Sequence, residues 1–147
     1  MPMQLVSASA FVCERILREE DGVPSAIRIA DIFTLPQWSP SVPTWLQVVD
    51  MNLFVIIKVL NVDPSEEHTV SVILTRPNGH QSQVFVNQKV TFSQLPGHPE
   101  IPAGATLGLQ VNVTGDVMGV HYFEVFLQGD SLAKVAFTLL EPSQSGS

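Results

Sequence analysis

The chain has 147 residues, of which 45% are hydrophobic and only 14% are charged, and its formal net charge is −7. This length suits one domain with a substantial core and is short for two. The acidic balance excludes nucleic acid and anionic membranes as expected partners, because phosphate binding needs clustered Lys and Arg that seven basic residues do not supply.

The first predicted element, Leu5 to Leu17, is ambiguous between helix and strand. Ser7 could cap a helix that ends at Gly22. A strand is favoured, because the turn Glu20-Asp21-Gly22 leads directly into a strand of similar length, predicted over Pro24 to Leu35.

The segment from Leu35 to Trp45 contains three prolines and both tryptophans, Trp38 and Trp45. A rigid aromatic loop of this kind could present a binding platform to a sugar or a peptide. The favoured alternative is that the loop crosses between two sheets and that one or both rings close the end of the core, because large apolar groups are preferentially buried.

Met51 to Leu60 carries apolar residues on both alternating sets, which is typical of a central strand covered on both faces. His68 to Thr75 alternates regularly, except that the apolar Ile73 falls on the outward set. Asn78-Gly79 follows and is a strong hairpin signal. A return strand is therefore predicted from Gln81 to Phe92, with its valines on one face.

A half-buried strand over Leu107 to Thr114 precedes a final hairpin from Gly119 to Leu140. In this hairpin Glu124 and Lys134 are predicted to share the outer face. The inner face is assigned to Phe123, Val125, Val135 and Phe137. This shared parity predicts an odd-numbered loop such as Gly129-Asp130-Ser131.

These elements predict an all-β fold, a single antiparallel β-sandwich of about eight strands, immunoglobulin-like or C2-like. The domain is expected to span residues 1–141, with a disordered tail over 142–147.

The sequence also resembles an uncharacterised bacterial family of small standalone β-sandwich domains. The motifs that carry the resemblance are Cys13-Glu14-Arg15, Asp21-Gly22, Ile27-Arg28-Ile29, Asp31, Arg76-Pro77-Asn78-Gly79 and Tyr122-Phe123-Glu124-Val125-Phe126-Leu127. They are strand and turn patterns that cover most of the chain. The resemblance implies a β-sandwich in the bacterial cytoplasm and carries no established activity.

Two carboxylates, Glu14 and Asp31, fall on the apolar sets of their strands. A buried carboxylate must be paired or shift its pKa, so the two are candidates for a general acid and base. The favoured alternative is a structural link to Arg15 or Arg28, or strand ends open to water, because structural ion pairs perturb carboxylates as readily as active sites do.

Cys13 is the only cysteine, which excludes an internal disulfide and favours a reducing, cytoplasmic compartment. It is a candidate nucleophile with a histidine as base, although a small buried strand residue is the favoured role. The four histidines are His68, His80, His98 and His121. Of these, His121 is expected to be a core or rim residue with one hydrogen bond. No spacing predicts a metal site, and we expect no cofactor.

The favoured function is a non-enzymatic protein-interaction or scaffolding module, with an unknown protein partner or with self-association as a dimer. The low charge density and the outward Ile73, Tyr122 and Phe126 motivate this hypothesis. The alternative is a carbohydrate-binding module that uses Trp38 and Trp45. The third hypothesis is a hydrolase-type enzyme that uses Cys13 or the two carboxylates.

Overall fold

A computed structural model describes residues 2–18, 24–29, 31–34, 48–63, 65–115 and 117–141. These residues form nine strands and contain no helix. In chain order the strands are β1 (Gln4–Arg18), β2 (Pro24–Ile29), β3 (Ile32–Thr34), β4 (Val48–Leu60), β5 (His68–Thr75), β6 (Gln81–Val90), β7 (Ala103–Thr114), β8 (Gly119–Leu127) and β9 (Asp130–Leu140). The predicted tail, 142–147, and the loop with Trp38 and Trp45 lie outside the described residues.

The strands form a four-stranded sheet, in the order β2-β1-β4-β7, and a five-stranded sheet, in the order β3-β9-β8-β5-β6. The predicted all-β sandwich is confirmed. The pairing is antiparallel throughout, except that β3 runs parallel to β9. The hydrophobic core between the sheets is formed by alternate residues of their strands.

Strand β4 lies at the centre of its sheet, between β1 and β7, as its sequence predicts. Its core-facing set is fully buried and comprises Met51, Leu53, Val55, Ile57 and Val59. Phe54, on the opposite face, is also buried, with 7% of its surface exposed. The two apolar sets of this strand therefore reflect cover on both faces.

Strand β1 settles the ambiguity of the first segment, and its second half bends over the outer face of the four-stranded sheet. Its ladder with β4 ends at Cys13, opposite Asn52. The Asn52 side chain then donates a 2.9 Å hydrogen bond to the backbone oxygen of Glu14. Further along, the side chain of Ile16 lies over Gly108 on β7, where a Cβ atom would come within 2.7 Å of the Ile16 Cδ1 atom. Glycine therefore permits this close approach.

The prediction of one strand from Pro24 to Leu35 is wrong, because the chain changes sheets in the middle of it. Strand β2 pairs with β1 in one sheet, and β3 pairs with β9 in the other. At the crossing, the backbone N–H of Thr138 donates a 2.7 Å hydrogen bond to the backbone oxygen of Asp31. The division raises the strand count from eight to nine. Apolar alternation runs through the crossing, so periodicity alone does not reveal it.

Strand β6 departs from its predicted regular alternation. Its ladder with β5 contains register shifts on either side of Val72. Asn87 adopts a positive φ of 49°, and its N–H donates a 3.0 Å hydrogen bond to the hydroxyl of Ser71. These irregularities turn Val86 outward, to 57% exposure. The prediction that the valines of this strand share one face is therefore wrong for Val86.

In the final hairpin the paired side chains share faces as predicted, but the connecting loop is shorter than predicted. Glu124 lies opposite Lys134, and Phe123 lies opposite Val135. The turn itself has two residues, Gln128-Gly129, both at positive φ, as a tight hairpin turn requires.

A β-bulge restores the parity that a two-residue turn would otherwise invert. The register shifts between Val125 and Phe126, so that Val125 faces Ala133 while Phe126 faces Ser131. Leu132 is the extra residue of the bulge. Sequence parity therefore predicted correctly which side chains share a face. The structure achieves this parity with a two-residue turn and a bulge, where the sequence predicted a three-residue loop.

Candidate interaction surface

The outer face of the five-stranded sheet carries the three apolar residues that the sequence places outward. Tyr122 is 38% exposed, whereas Ile73 and Phe126 are half-buried. Ile73 lies opposite Glu124, and Phe126 lies opposite Ser71. Polar neighbours therefore separate Ile73 from Phe126 across the strands, and Tyr122 is the most accessible of the three.

Polar side chains on this face are held by defined contacts. The Lys134 Nζ atom lies 4.7 Å from the centroid of the Tyr122 ring, in a cation–π arrangement. The Ser131 hydroxyl donates a 2.6 Å hydrogen bond to Glu124 Oε2. Lys134 and Glu124 thus cover part of the surface around Tyr122.

An apolar patch occupies the adjoining part of the same face and was not identified from the sequence as a unit. It consists of Ile32 (57% exposed), Val120 (43%), Tyr122 (38%) and Leu140 (46%). Thr138 of β9 has Ile32 of β3 on one side and Val120 of β8 on the other. We call these four residues the β3–β9–β8 patch. Sequence alternation placed Tyr122 outward, but it assigned Ile32 to one continuous strand from Pro24 to Leu35.

A cluster of rings supports the patch from the core side. The Phe137 ring stacks on Phe123 and on His121, with centroids 5.0 Å and 4.9 Å apart, and meets Phe33 edge-on at 6.2 Å. His121 is fully buried, and its Nδ1 atom lies 3.0 Å from the backbone oxygen of Gly119. The prediction of a core histidine is therefore confirmed.

The candidate catalytic residues occupy different environments. The Cys13 side chain is fully buried. Glu14 and Asp31 are both exposed, so their predicted burial is wrong. Glu14 lies beyond the point where β1 leaves β4, and Asp31 lies at the crossing between sheets, so strand parity no longer relates either residue to the core. The burial that made the two carboxylates candidates for a general acid and base is absent.

A cleft of about 140 Å³ lies near the turn before β5 and is lined by His68 among other residues. The two ring nitrogens of His68 lie 3.4 Å from Gln128 Oε1 and 3.4 Å from the backbone oxygen of Asp63, and the ring meets Phe92 edge-on at 5.3 Å. Hydrogen bonds from the hydroxyl and then the backbone N–H of Ser65 lower the pKa of the Asp63 carboxyl group. These contacts link the turn to the β8–β9 hairpin.

The described part of the chain lacks two further kinds of feature. No group of three or more His, Cys, Asp or Glu side chains there is placed to hold a metal ion. Nor does that part contain a helix long and apolar enough to cross a membrane.

No protein-family model matches the sequence, and no curated protein matches it significantly. Among solved structures, the chain is similar to an immunoglobulin-like protein from Pseudomonas aeruginosa, with 11% identity and a TM-score of 0.47 over 95% of this chain and 98% of that one. It is also similar to part of the Pseudomonas fluorescens alkylpurine DNA glycosylase AlkC, in a structure bound to DNA containing an abasic site analogue. That match has 17% identity and a TM-score of 0.39, and it covers 75% of this chain but 27% of the glycosylase. At these identities the likeness concerns the fold alone.

Proposed function

We propose that the protein is a non-enzymatic protein-interaction module of the bacterial cytoplasm, and that the β3–β9–β8 patch is its docking surface. The observation that carries this proposal is the grouping of four exposed apolar side chains on one face, across three neighbouring strands.

Single exposed apolar residues are ordinary on protein surfaces, whereas contiguous ones are typical of interaction sites. Here Ile32 and Val120 flank the same residue of β9, and Leu140 lies two positions further along that strand. Tyr122 adds an aromatic residue of the type enriched in interfaces.

The setting of the patch also supports binding. Phe137 and its ring contacts lie beneath it, so the strands that present the patch are already ordered. A preorganised surface pays less conformational entropy when a partner binds. The lone, buried Cys13 supports a reducing compartment.

Site-specific photo-crosslinking in bacterial cells that express the protein tests the proposal. A benzophenone amino acid at position 120 should give an adduct of discrete mass with another protein. The matched control carries the same probe at Ser9, an exposed position of β1 on the outer face of the other sheet. Leu140→Lys, combined with the probe at position 120, should remove the adduct, because it places a charge within the patch. Equal crosslinking from positions 120 and 9 in correctly folded protein would contradict the proposal.

A further inference from the structure

The four edge strands of the sandwich differ in how well they are protected against pairing with another chain. Natural sheets block their edges with short strands, proline, bulges or lysine. Strand β3 has three residues, and β2 has six and begins at Pro24. Strand β6 contains Lys89 and two register shifts. Each of these three edges therefore carries a recognised protective feature.

Strand β7 has none of these features. It is twelve residues long, contains no charged residue and no proline, and pairs with β4 in one unbroken register from Ala103 to Thr114. Within the described residues, the edge of β7 that faces away from β4 pairs at a single point, where Ser93 and Gly104 exchange hydrogen bonds of 2.8 Å and 3.1 Å. A cleft of about 190 Å³ between β6 and β7 borders this edge at Gln110 to Asn112.

The Ser93 bridge reveals which backbone groups of β7 point away from β4. Gly104 directs its N–H and C=O to Ser93, so it belongs to the set whose polar groups face the outer edge. In an antiparallel ladder this direction alternates with every residue. The same orientation therefore recurs at Thr106, Gly108, Gln110 and Asn112. Together they form a row of donors and acceptors that β4 does not use.

We propose that this edge pairs with β7 of a second copy of the chain, antiparallel and centred on Gln110. Ser93 already occupies the position beside Gly104, and a pairing centred on Gln110 lies beyond that position along the strand. In this register Gly108 lies opposite Asn112 of the second copy, and Gln110 lies opposite its own symmetry mate. Each residue of β7 lies opposite a residue of the same parity in the second copy. Side chains on the outer face of one copy therefore lie beside side chains on the outer face of the other.

The arrangement of charge favours a second copy as the occupant. Two molecules that each carry a net charge of −7 repel unless they meet at a neutral strip. Strand β7 supplies such a strip. On β4, the nearest carboxylate is Asp50, beside Asn112. In the proposed register Asn112, which lies beside Asp50, faces Gly108 of the second copy, and Gly108 lies beside Phe54. Asp50 therefore faces no acidic residue of β7 or β4 across the interface.

The pairing is also self-complementary along the outer face. At the centre, the amide side chain of Gln110 meets its own symmetry mate, and Asn52 flanks it on β4. Amide groups supply both donors and acceptors, so each can bond to an identical group. The result is a continuous eight-stranded sheet with a two-fold axis at Gln110, which is the closed symmetry typical of homodimers.

Light scattering coupled to size exclusion, across a concentration series, tests the dimer. The wild-type mass should reach twice 16.1 kDa. Gln110→Lys places like charges opposite each other at the centre and should give a monomer at the same concentration. Gln83→Lys makes the same charge change on the exposed face of β6 and should leave the dimer intact. A wild-type monomer throughout, or a Gln110→Lys dimer, would overturn the proposal.

Hydrogen exchange on the wild-type protein supplies a readout that does not depend on a variant. The amides of Gly108 and Gln110 should become protected as the concentration rises, whereas that of Leu109, which faces β4, should be protected at every concentration. Protection of Gly108 and Gln110 that does not change with concentration would contradict the pairing. The β7 edge lies on the opposite sheet from the β3–β9–β8 patch, so crosslinking from position 120 should persist in Gln110→Lys. Either proposal can therefore fail alone.

Discussion

Replacing Phe137 with alanine should destabilise the protein more than any other single truncation in the ring cluster, because Phe137 alone contacts the other three rings. Its side chain is 1% exposed. Truncation of a buried phenylalanine costs about 3–5 kcal/mol. Loss of the stacked and edge-on contacts places the expected cost at the upper end of that range, since such pairs contribute about 0.5–1.5 kcal/mol each without adding fully.

A loss of about 5 kcal/mol is a large share of the roughly 5–15 kcal/mol that stabilises a typical domain. In urea, with a slope of about 2 kcal/mol per molar, it lowers the unfolding midpoint by roughly 2.5 M. Phe137→Leu keeps much of the buried volume and should cost only about 1–2 kcal/mol. Leu140→Ala, on the same strand but exposed, should cost less than about 1 kcal/mol.

Urea unfolding followed by circular dichroism measures all three variants. Similar midpoints for Phe137→Ala and Leu140→Ala would refute the role of the ring cluster as the main support of β3, β8 and β9. A full loss of folding in Phe137→Ala, with a midpoint lowered by only about 0.5–1 M in Phe137→Leu, would agree with it.

Three further predictions concern the bend of β1, the turn before β5 and the final hairpin. Gly108→Ala should lower the free energy of unfolding by about 1–2 kcal/mol, because the added methyl group would meet Ile16 Cδ1. In a double-mutant cycle, Ile16→Val should recover at least half of that loss, and additive effects of the two substitutions would contradict the position of Ile16. Ser65→Ala should raise the pKa of Asp63 toward the ordinary value of an aspartate, as followed by NMR titration. Because folding lowers this pKa, the stabilisation from Asp63 is present above about pH 4 and is lost as the pH falls through the folded-state pKa, so stability should depend less on acid pH in Ser65→Ala. Gly129→Ala, at a φ of 90°, should cost about 1 kcal/mol in urea unfolding, and an unchanged midpoint would rule out the two-residue turn.

Local periodicity predicted most of the strands, because each sheet has one buried face. Strands β4 and β5 follow their alternation closely, and the outward set of β8 correctly placed Tyr122. The facing of Glu124 and Lys134 was also predictable, since parity alone specifies it.

The errors arise where the chain changes direction without a change of pattern. Ile29 and Phe33 continue one apolar alternation although they belong to strands of different sheets. The β3–β9–β8 patch could not be recognised from the sequence, because Ile32 joins it only through this crossing. Similarly, Gly108 permits the approach of Ile16 from a distant strand, and no local signal reveals that contact.

The place of β8 and β9 in the five-stranded sheet has a consequence for biosynthesis. All four strands of the other sheet precede β8 along the chain, so that sheet has its complete set of strands before the final hairpin is made. The last hairpin to be synthesised, however, lies in the middle of its sheet, between β3 and β5. Contacts between residues far apart in sequence form slowly, because closing long loops costs entropy. We therefore expect the β8–β9 hairpin to join its sheet last. Until the end of the chain has been synthesised, β3 and the β5–β6 pair lack their neighbouring strands, and their inward apolar residues are not yet packed.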